Sequence, residues 1–201
     1  MHRSLPQLRR RLAGEHGFTI SEMLVTLMVL GILFAMFASI VSSAVRHASE
    51  AEDSSVQQTE VRTAIERFER ELRGAYSGIT GTYPVSAFSG TSITFQSPDN
   101  VTPFHLREIG YQLAGGKLQR RARITSDTDG APWVWGAWSS WHDLVSNVRN
   151  AAIFTAVDKN GNATTTATAV KRVTITLQVS TTVNSSRKFT FLTNVTLRND
   201  L

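Results

Sequence analysis

Hydrophobic positions along the chain pass through three regimes, and each predicts a different element. From Phe18 to Val45, 28 residues carry one formal charge, Glu22. Met23 to Val45 alone exceeds the roughly 20 apolar residues that a helix needs to cross a bilayer. A membrane-spanning helix is therefore expected over 18–45. Beyond Ser54 the pattern turns amphipathic: Val61, Ile65, Phe68, Leu72 and Ala75 recur at spacings of four, three, four and three, which is one stripe of a helix. Gly74 and Gly78 mark its stop. One nearly continuous helix from Phe18 to about Ala75 would reach about 87 Å at the rise of an α-helix. Outside the stripe, Glu66 with Arg70 and Glu69 with Arg73 stand at i, i+4, a spacing that supports a solvated helix face.

After the helix the period becomes two. Ile93 and Phe95, then Ile109, Tyr111 and Leu113, then Leu118, Ala122 and Ile124 alternate with polar residues, the signature of half-buried strands. Gly115 and Gly116 predict a hairpin turn between the last two runs. Val173, Ile175, Leu177 and Val179 alternate most regularly, and Phe189, Phe191, Val195 and Leu197 repeat the pattern after Asn184 to Ser186. Each strand set needs an apolar cover, and the helix stripe needs one too. The expected fold is therefore α+β, a long N-terminal helix, half transmembrane and half amphipathic, packed on an antiparallel β-sheet. The expected divisions are a basic leader at 1–17, the spanning helix at 18–45, a spine helix at 46–76 and an exported β-rich head at 77–201.

Composition narrows the chemistry. At 201 residues, with 41% hydrophobic and no cysteine, the chain is long enough for one unstapled core. Disulfides, thiolate metal sites and cysteine nucleophiles are excluded. Arg3, Arg9, Arg10 and Arg11 against Glu15 place +3 of the formal +5 in the first 17 residues, leaving +2 for the rest. The body has no bulk electrostatic drive toward nucleic acid. The same arginines precede the apolar run, whereas Arg46 is followed by Glu50, Glu52 and Asp53, so the N-terminus is expected in the cytoplasm and the body outside it. A secretory signal has a shorter apolar region, about 7 to 15 residues, ending in small residues. The present run is too long for that, although Ala35 to Ala44 offers small residues.

Glu22 is the anomaly in the run. An acidic residue within a spanning helix costs about 2.5–3.5 kcal/mol on insertion scales and marks function or a partner; near the helix start it can alternatively stay hydrated at the interface. Around it, Gly17, Phe18, Thr19, Ile20, Ser21 and Glu22 read G-F-T-I-S-E between a basic stretch and the apolar helix. This combination resembles the prepilin signature of the type IV pilin family. The resemblance implies cleavage between Gly17 and Phe18 by a membrane-embedded prepilin peptidase, and N-methylation of the new Phe18 amine. It also implies subunit assembly in which the Glu22 carboxylate meets the Phe18 amine of a neighbour. Ser39 stands where many pilins have a helix-kinking proline.

The body is also similar to a narrower group, the J-type minor pseudopilins of type II secretion and the related minor pilins. The stretches that carry this are E-R-F-E-R-E-L-R-G-A at Glu66 to Ala75, I-G-Y-Q-L-A-G-G-K-L-Q-R at Ile109 to Arg120, and V-T-L-R-N at Val195 to Asn199. The group implies a structural subunit that primes assembly or joins a tip complex. Its partners would be other minor and major pilins or pseudopilins, prepilin peptidase, membrane lipid and an assembly platform protein. It also implies residence in the bacterial cytoplasmic membrane as a single-pass protein, then in a pilus or pseudopilus. Because the subunit at the extreme tip commonly lacks the glutamate, Glu22 places this chain beneath the tip.

Other candidates are weaker. Trp133, Trp135, Trp138 and Trp141 crowd nine residues, either as a partner surface for a glycan or protein or as packing beneath a loop. Asp127 and Asp129 before Gly130, and Asp158 and Asn160 before Gly161, loosely resemble calcium loops. They lack the about six to eight oxygen ligands of a complete site, and turn chemistry explains both; no metal and no cofactor is expected. His105 with Glu108, and His142 with Asp143, form no catalytic constellation. N-x-T occurs at Asn100, Asn162 and Asn194 and reflects a threonine-rich body. Three classes of function remain: an assembly subunit; a pilus-borne binding module, adhesin-like or for DNA uptake; and an enzyme, for which no nucleophile–base pair, phosphate loop or metal cluster is present.

Overall fold

A computed structural model describes residues 18–77, 83–99, 105–126, 132–181 and 188–197. The first element is one helix, α1, Ile20–Arg73. It begins two residues later than the apolar run because Thr19 serves as its cap. It closes where the Gly74 N–H still reaches the Arg70 carbonyl at 3.3 Å and the Ala75 N–H tightens onto the Leu72 carbonyl at 3.1 Å. Arg70 and Arg73 sit in the last turn, where cations oppose the helix dipole. The Tyr76 N–H then bonds the Gln96 carbonyl at 2.9 Å and hands the chain to the sheet.

Two compact units divide the chain, one ending at Ala48 and one beginning at Ser49. In the first, large apolar side chains lie open along the helix, from 44% exposed at Val41 to 83% at Ile20. Such a surface is stable in lipid or against other helices, not in water. The segment is long and apolar enough to span a membrane.

In the second unit, the body half of α1 buries Ser54, Gln57, Val61, Ala64, Phe68, Glu71 and Leu72. This is the expected stripe with a polar edge. Its cover is a pair of antiparallel sheets. The first is a five-stranded meander in spatial order β1 (Val85–Phe88), β2 (Ser92–Pro98), β3 (Leu106–Ala114), β4 (Lys117–Ile124) and β5 (His142–Val145). The second places β6 (Phe154–Val157), β7 (Arg172–Ser180) and β8 (Lys188–Thr196) side by side. The α+β architecture is that of the type IV pilin fold, built with two sheets where the sequence suggested one.

Register follows the alternation that the sequence displays. Ile93 stands opposite Tyr111 and Phe95 opposite Ile109; Ile109 faces Ala122 and Leu113 faces Leu118. Gly115 and Gly116, at φ +58° and +70°, make the turn between β3 and β4, a conformation in which side chains with a Cβ are strained. Val173, Ile175, Leu177 and Val179 on β7 are all fully buried. On β8, Val195 is fully buried but Phe189 and Phe191 only half so, because this strand is the edge of its sheet. Asn184 to Ser186 lie outside the described residues. Between the sheets, the Val148 N–H bonds the Gly116 carbonyl at 2.8 Å, Val148 bridges Val179, and the Thr176 N–H bonds the Ile153 carbonyl at 2.8 Å. The stretch around 147–153 thus stitches the two sheets, giving the body one continuous core.

Phe68 is the centre of that core. Its ring lies 5.2 Å from Tyr111 and 6.5 Å from Phe95, both edge-on, and 5.6 Å from Phe154. One helix residue thereby touches β2 and β3 of the first sheet and β6 of the second. Phe68→Ala is expected to destabilise the body by about 3–5 kcal/mol, read as a lower denaturation midpoint at unchanged slope.

Candidate functional site

Three groups of polar residues stand apart from ordinary surface. The first is the start of α1. Glu22 Oε2 accepts the Thr19 N–H at 3.0 Å and the Thr19 hydroxyl at 3.1 Å, while the Glu22 N–H donates to Thr19 Oγ1 at 3.2 Å. This is a reciprocal capping box, T-x-x-E, which satisfies two of the backbone donors a helix start leaves open. Glu22 Oε1 has no partner among the described residues and remains available. Thr26 donates its hydroxyl back to the carbonyls of Glu22 and Met23, at 3.0 and 2.9 Å, so it presents no bare donor to an apolar medium. Phe18 is 84% exposed just ahead of the helix; Gly17 lies outside the described residues.

The second group joins α1 to the first sheet. Glu71 Oε2 accepts the Tyr111 hydroxyl at 2.6 Å and Arg120 Nε at 3.0 Å, and Oε1 accepts Arg120 Nη2 at 2.8 Å and Arg67 Nε at 3.3 Å. Glu71 and Arg120 are each only 9% exposed and Tyr111 is fully buried. Burial pushes the Glu71 carboxyl up. The Arg120 and Tyr111 hydrogen bonds and the charges of Arg120 and Arg67 outweigh it, and the carboxyl ends below its ordinary value. Burial, and then the Glu71 charge beside it, push the Tyr111 hydroxyl well up, so it stays a donor. Chemically this is a lock with every Glu71 acceptor used, not a reactive centre. Of the pairs expected along the helix, Glu69 meets Arg73 at 3.7 Å and also accepts Thr193 from β8, whereas Glu66 and Arg70 are not among the ion pairs of the described residues.

The third group gathers three of the four tryptophans, Trp135, Trp138 and Trp141. The segment after Trp133 runs antiparallel beside β4: the Gly136 N–H bonds the Ile124 carbonyl and the Ser139 N–H the Ala122 carbonyl, both at 2.9 Å. Each indole is half-buried. Arg121 and Arg123, two apart and so on one face of β4, lie over the rings. The order is Trp141, Arg121, Trp138, Arg123, Trp135, with guanidinium-to-ring distances of 4.4, 4.2, 4.6 and 5.0 Å. Each such contact is worth about 0.5–1 kcal/mol where exposed, so the ladder fastens a segment that has few ladder hydrogen bonds of its own. Gly110, opposite Arg121 on β3, leaves the floor for Trp141, whose Cη2 would lie 3.5 Å from a Cβ there. Sequence reasoning found the tryptophans but not their arginines. The signal was the R-x-R at Arg121 and Arg123 with the opposite parity to buried Leu118.

The remaining candidates resolve into structural roles. His105 Nδ1 lies 3.1 Å from the Thr125 carbonyl, while Glu108 takes Arg123 at 2.5 Å and the Ser86 hydroxyl at 2.9 Å. Asp143, next to His142, takes Lys117 at 2.5 Å and Gln119 at 2.7 Å; Lys117 first, then Gln119, hold its carboxyl below the usual range. Asp158 Oδ1 accepts the N–H groups of Asn162 and Asn160, at 2.9 and 2.8 Å, which is turn chemistry. Asp127, Asp129 and Gly130 lie outside the described residues, as does Asn100.

Because the folded-state Glu71 carboxyl sits below its ordinary 4.5, the lock contributes fully above that pH and is lost progressively as pH falls below it. Glu71→Gln is expected to remove this acid-sensitive share. It should also cost about 3–5 kcal/mol near neutrality, because it strands the Arg120 guanidinium in the core. Denaturant melts at neutral pH and at pH values below 4.5 check both effects.

Comparison with known families matches residues 12–38 to the prokaryotic N-terminal methylation motif. No curated protein matches the chain. The motif spans the basic leader's end, the Gly17–Phe18 junction, the Thr19–Glu22 capping box and the first half of the apolar helix, and it points to a membrane-anchored structural subunit. Joined to a helix whose body half packs on antiparallel sheets, this prepilin signal makes the chain similar to type IV pilin-like proteins.

Proposed function

We propose that this protein is a minor pilin or pseudopilin, a structural subunit that primes or joins the tip complex of a type IV pilus or a type II secretion pseudopilus. Prepilin peptidase cuts between Gly17 and Phe18 on the cytoplasmic side, and the new Phe18 amine is methylated. The body is carried outside the cytoplasmic membrane and the mature chain assembles with other pilins beneath the tip. The observation that carries this reading is the Glu22 carboxylate at the head of an apolar helix. Its Oε2 is committed to Thr19 and its Oε1 is open. An open acceptor in a medium without water is costly until a cation meets it. The amine of an incoming subunit supplies that cation only in the correct axial register, so the charge selects register as well as partner.

The narrower, J-type reading draws support from where its motif stretches fold. Glu71 comes from one stretch, and Tyr111 and Arg120 from another. These residues make the lock between α1 and the sheet, so the two stretches meet at one buried site.

Glu22→Leu and Glu22→Ala should leave membrane insertion and cleavage largely intact while blocking incorporation into sheared filaments; normal incorporation of either variant would falsify the role given to Glu22. Mass spectrometry of the mature chain should find methylated Phe18 as its first residue, and any other first residue removes the polymer-subunit reading. Deletion of the protein should abolish filaments. Intact filaments that have lost adhesion or DNA uptake would instead favour a binding module.

A further inference from the structure

The tryptophan–arginine ladder carries one cation more than it neutralises. On its face of the first sheet, Arg123 is matched by Glu108 at 2.5 Å and Lys117 by Asp143 at 2.5 Å. Arg121 has no carboxylate among the described residues. Its Nε is buried against the rings without a hydrogen-bond partner, while its two Nη groups are neither buried nor bonded to protein. The indoles of Trp138 and Trp141, 4.2 and 4.4 Å from its Cζ, set the plane of the guanidinium. What is left is a rigid, pre-oriented fork of N–H donors that opens to solvent within an aromatic patch.

We propose that Arg121 is the anchor of a protein-docking surface that takes one acidic side chain, aspartate or glutamate, from a partner subunit. Geometry and charge both select this occupant. A planar guanidinium donates two parallel hydrogen bonds to a carboxylate, and holding it in one plane removes most of the entropy otherwise lost on pairing. The flanking tryptophans supply the amphipathic rim that such hot spots use. A nucleic-acid backbone fits less well, because it needs a run of unmatched cations to release counterions, and this face offers one. A neutral glycan needs open indole faces, and those of Trp138 are turned to Arg121 and Arg123. The inference rests on the assembly-subunit reading for the identity of the partner, but not for the chemistry of the fork.

The four tryptophans of the chain lie within 133–141, and three of them stack on Arg121 and Arg123, so intrinsic fluorescence of the full-length protein in detergent micelles reports this segment. Titrated with a hexaglutamate peptide, that fluorescence should change saturably and in a salt-dependent way. Hexaglutamine should produce no change, and the basic leader, which carries no tryptophan, contributes none. Arg121→Gln should weaken the response at least about tenfold, and Arg121→Lys, which keeps the charge but not the fork, should weaken it less. Because a neutral variant can also loosen the ladder, Arg121→Glu is the decisive one: it should stop responding to hexaglutamate and begin responding to hexalysine, a gain that a collapsed site does not produce. An equal response to hexaglutamine, a tighter response to hexathymidylate, or an Arg121→Glu protein that still prefers hexaglutamate overturns the proposal. None of these results depends on filament incorporation, so the outcome is separable from that of the Glu22 variants.

Discussion

The body depends on a carboxylate that has no business in a core unless everything around it is satisfied. Glu71 lies one residue from Leu72 on the buried stripe of α1, and its two oxygens accept four donors from Arg67, Tyr111 and Arg120. An apolar stripe on a helix is free to slide or rotate against a sheet, because burial is proportional to area and indifferent to register. A bidentate guanidinium–carboxylate pair is not, since displacement by a single turn leaves two charges buried without partners. The lock therefore sets which turn of the helix meets which residue of β3 and β4. Phe68, one turn earlier, is placed between Tyr111, Phe95 and Phe154 as a consequence.

Fixing the first sheet on its inner face decides what its outer face can present. Strand parity sends Leu118, Arg120 and Ala122 toward the helix, so Lys117, Gln119, Arg121 and Arg123 must face away. Two of those cations are matched locally and the pair at 121 and 123 is stacked with indoles. The same strand thus carries one arginine that locks the core and, one residue on, another that is held flat and left open. Core and surface chemistry alternate with the pleat.

The anchor obeys a different economy. Its side chains find no cover in the chain itself, and the polar groups at its start are tied down locally, by the Thr19–Glu22 box and the Thr26 back-bond. One carboxylate oxygen is the exception. On the reading proposed above, this open acceptor at the head of an apolar helix calls for a donor cation from a neighbour, which makes the motif an assembly signal as well as a tether.

Much of this was legible in the linear chain. The apolar run, the stripe through Val61, Phe68 and Leu72, the Gly115–Gly116 turn and the strands around Val173 to Val179 follow from periods of 3.6 and two, which depend only on local backbone geometry. The G-F-T-I-S-E motif was likewise readable, since its meaning lies in residue order. The short strands β1, β5 and β6, four residues each, were not, because a period of two cannot be distinguished over so few positions. Nor were the division into two sheets or the partners of Glu71 and Arg121, which lie dozens of residues away or on another strand. Arg120 shares the strand parity of Leu118 and Ala122, so the burial of this cation could have been read from the pattern, although it was not. Which acid would answer it depended on the packing of a helix some 49 residues earlier, and only three-dimensional contact settles a pairing over that distance.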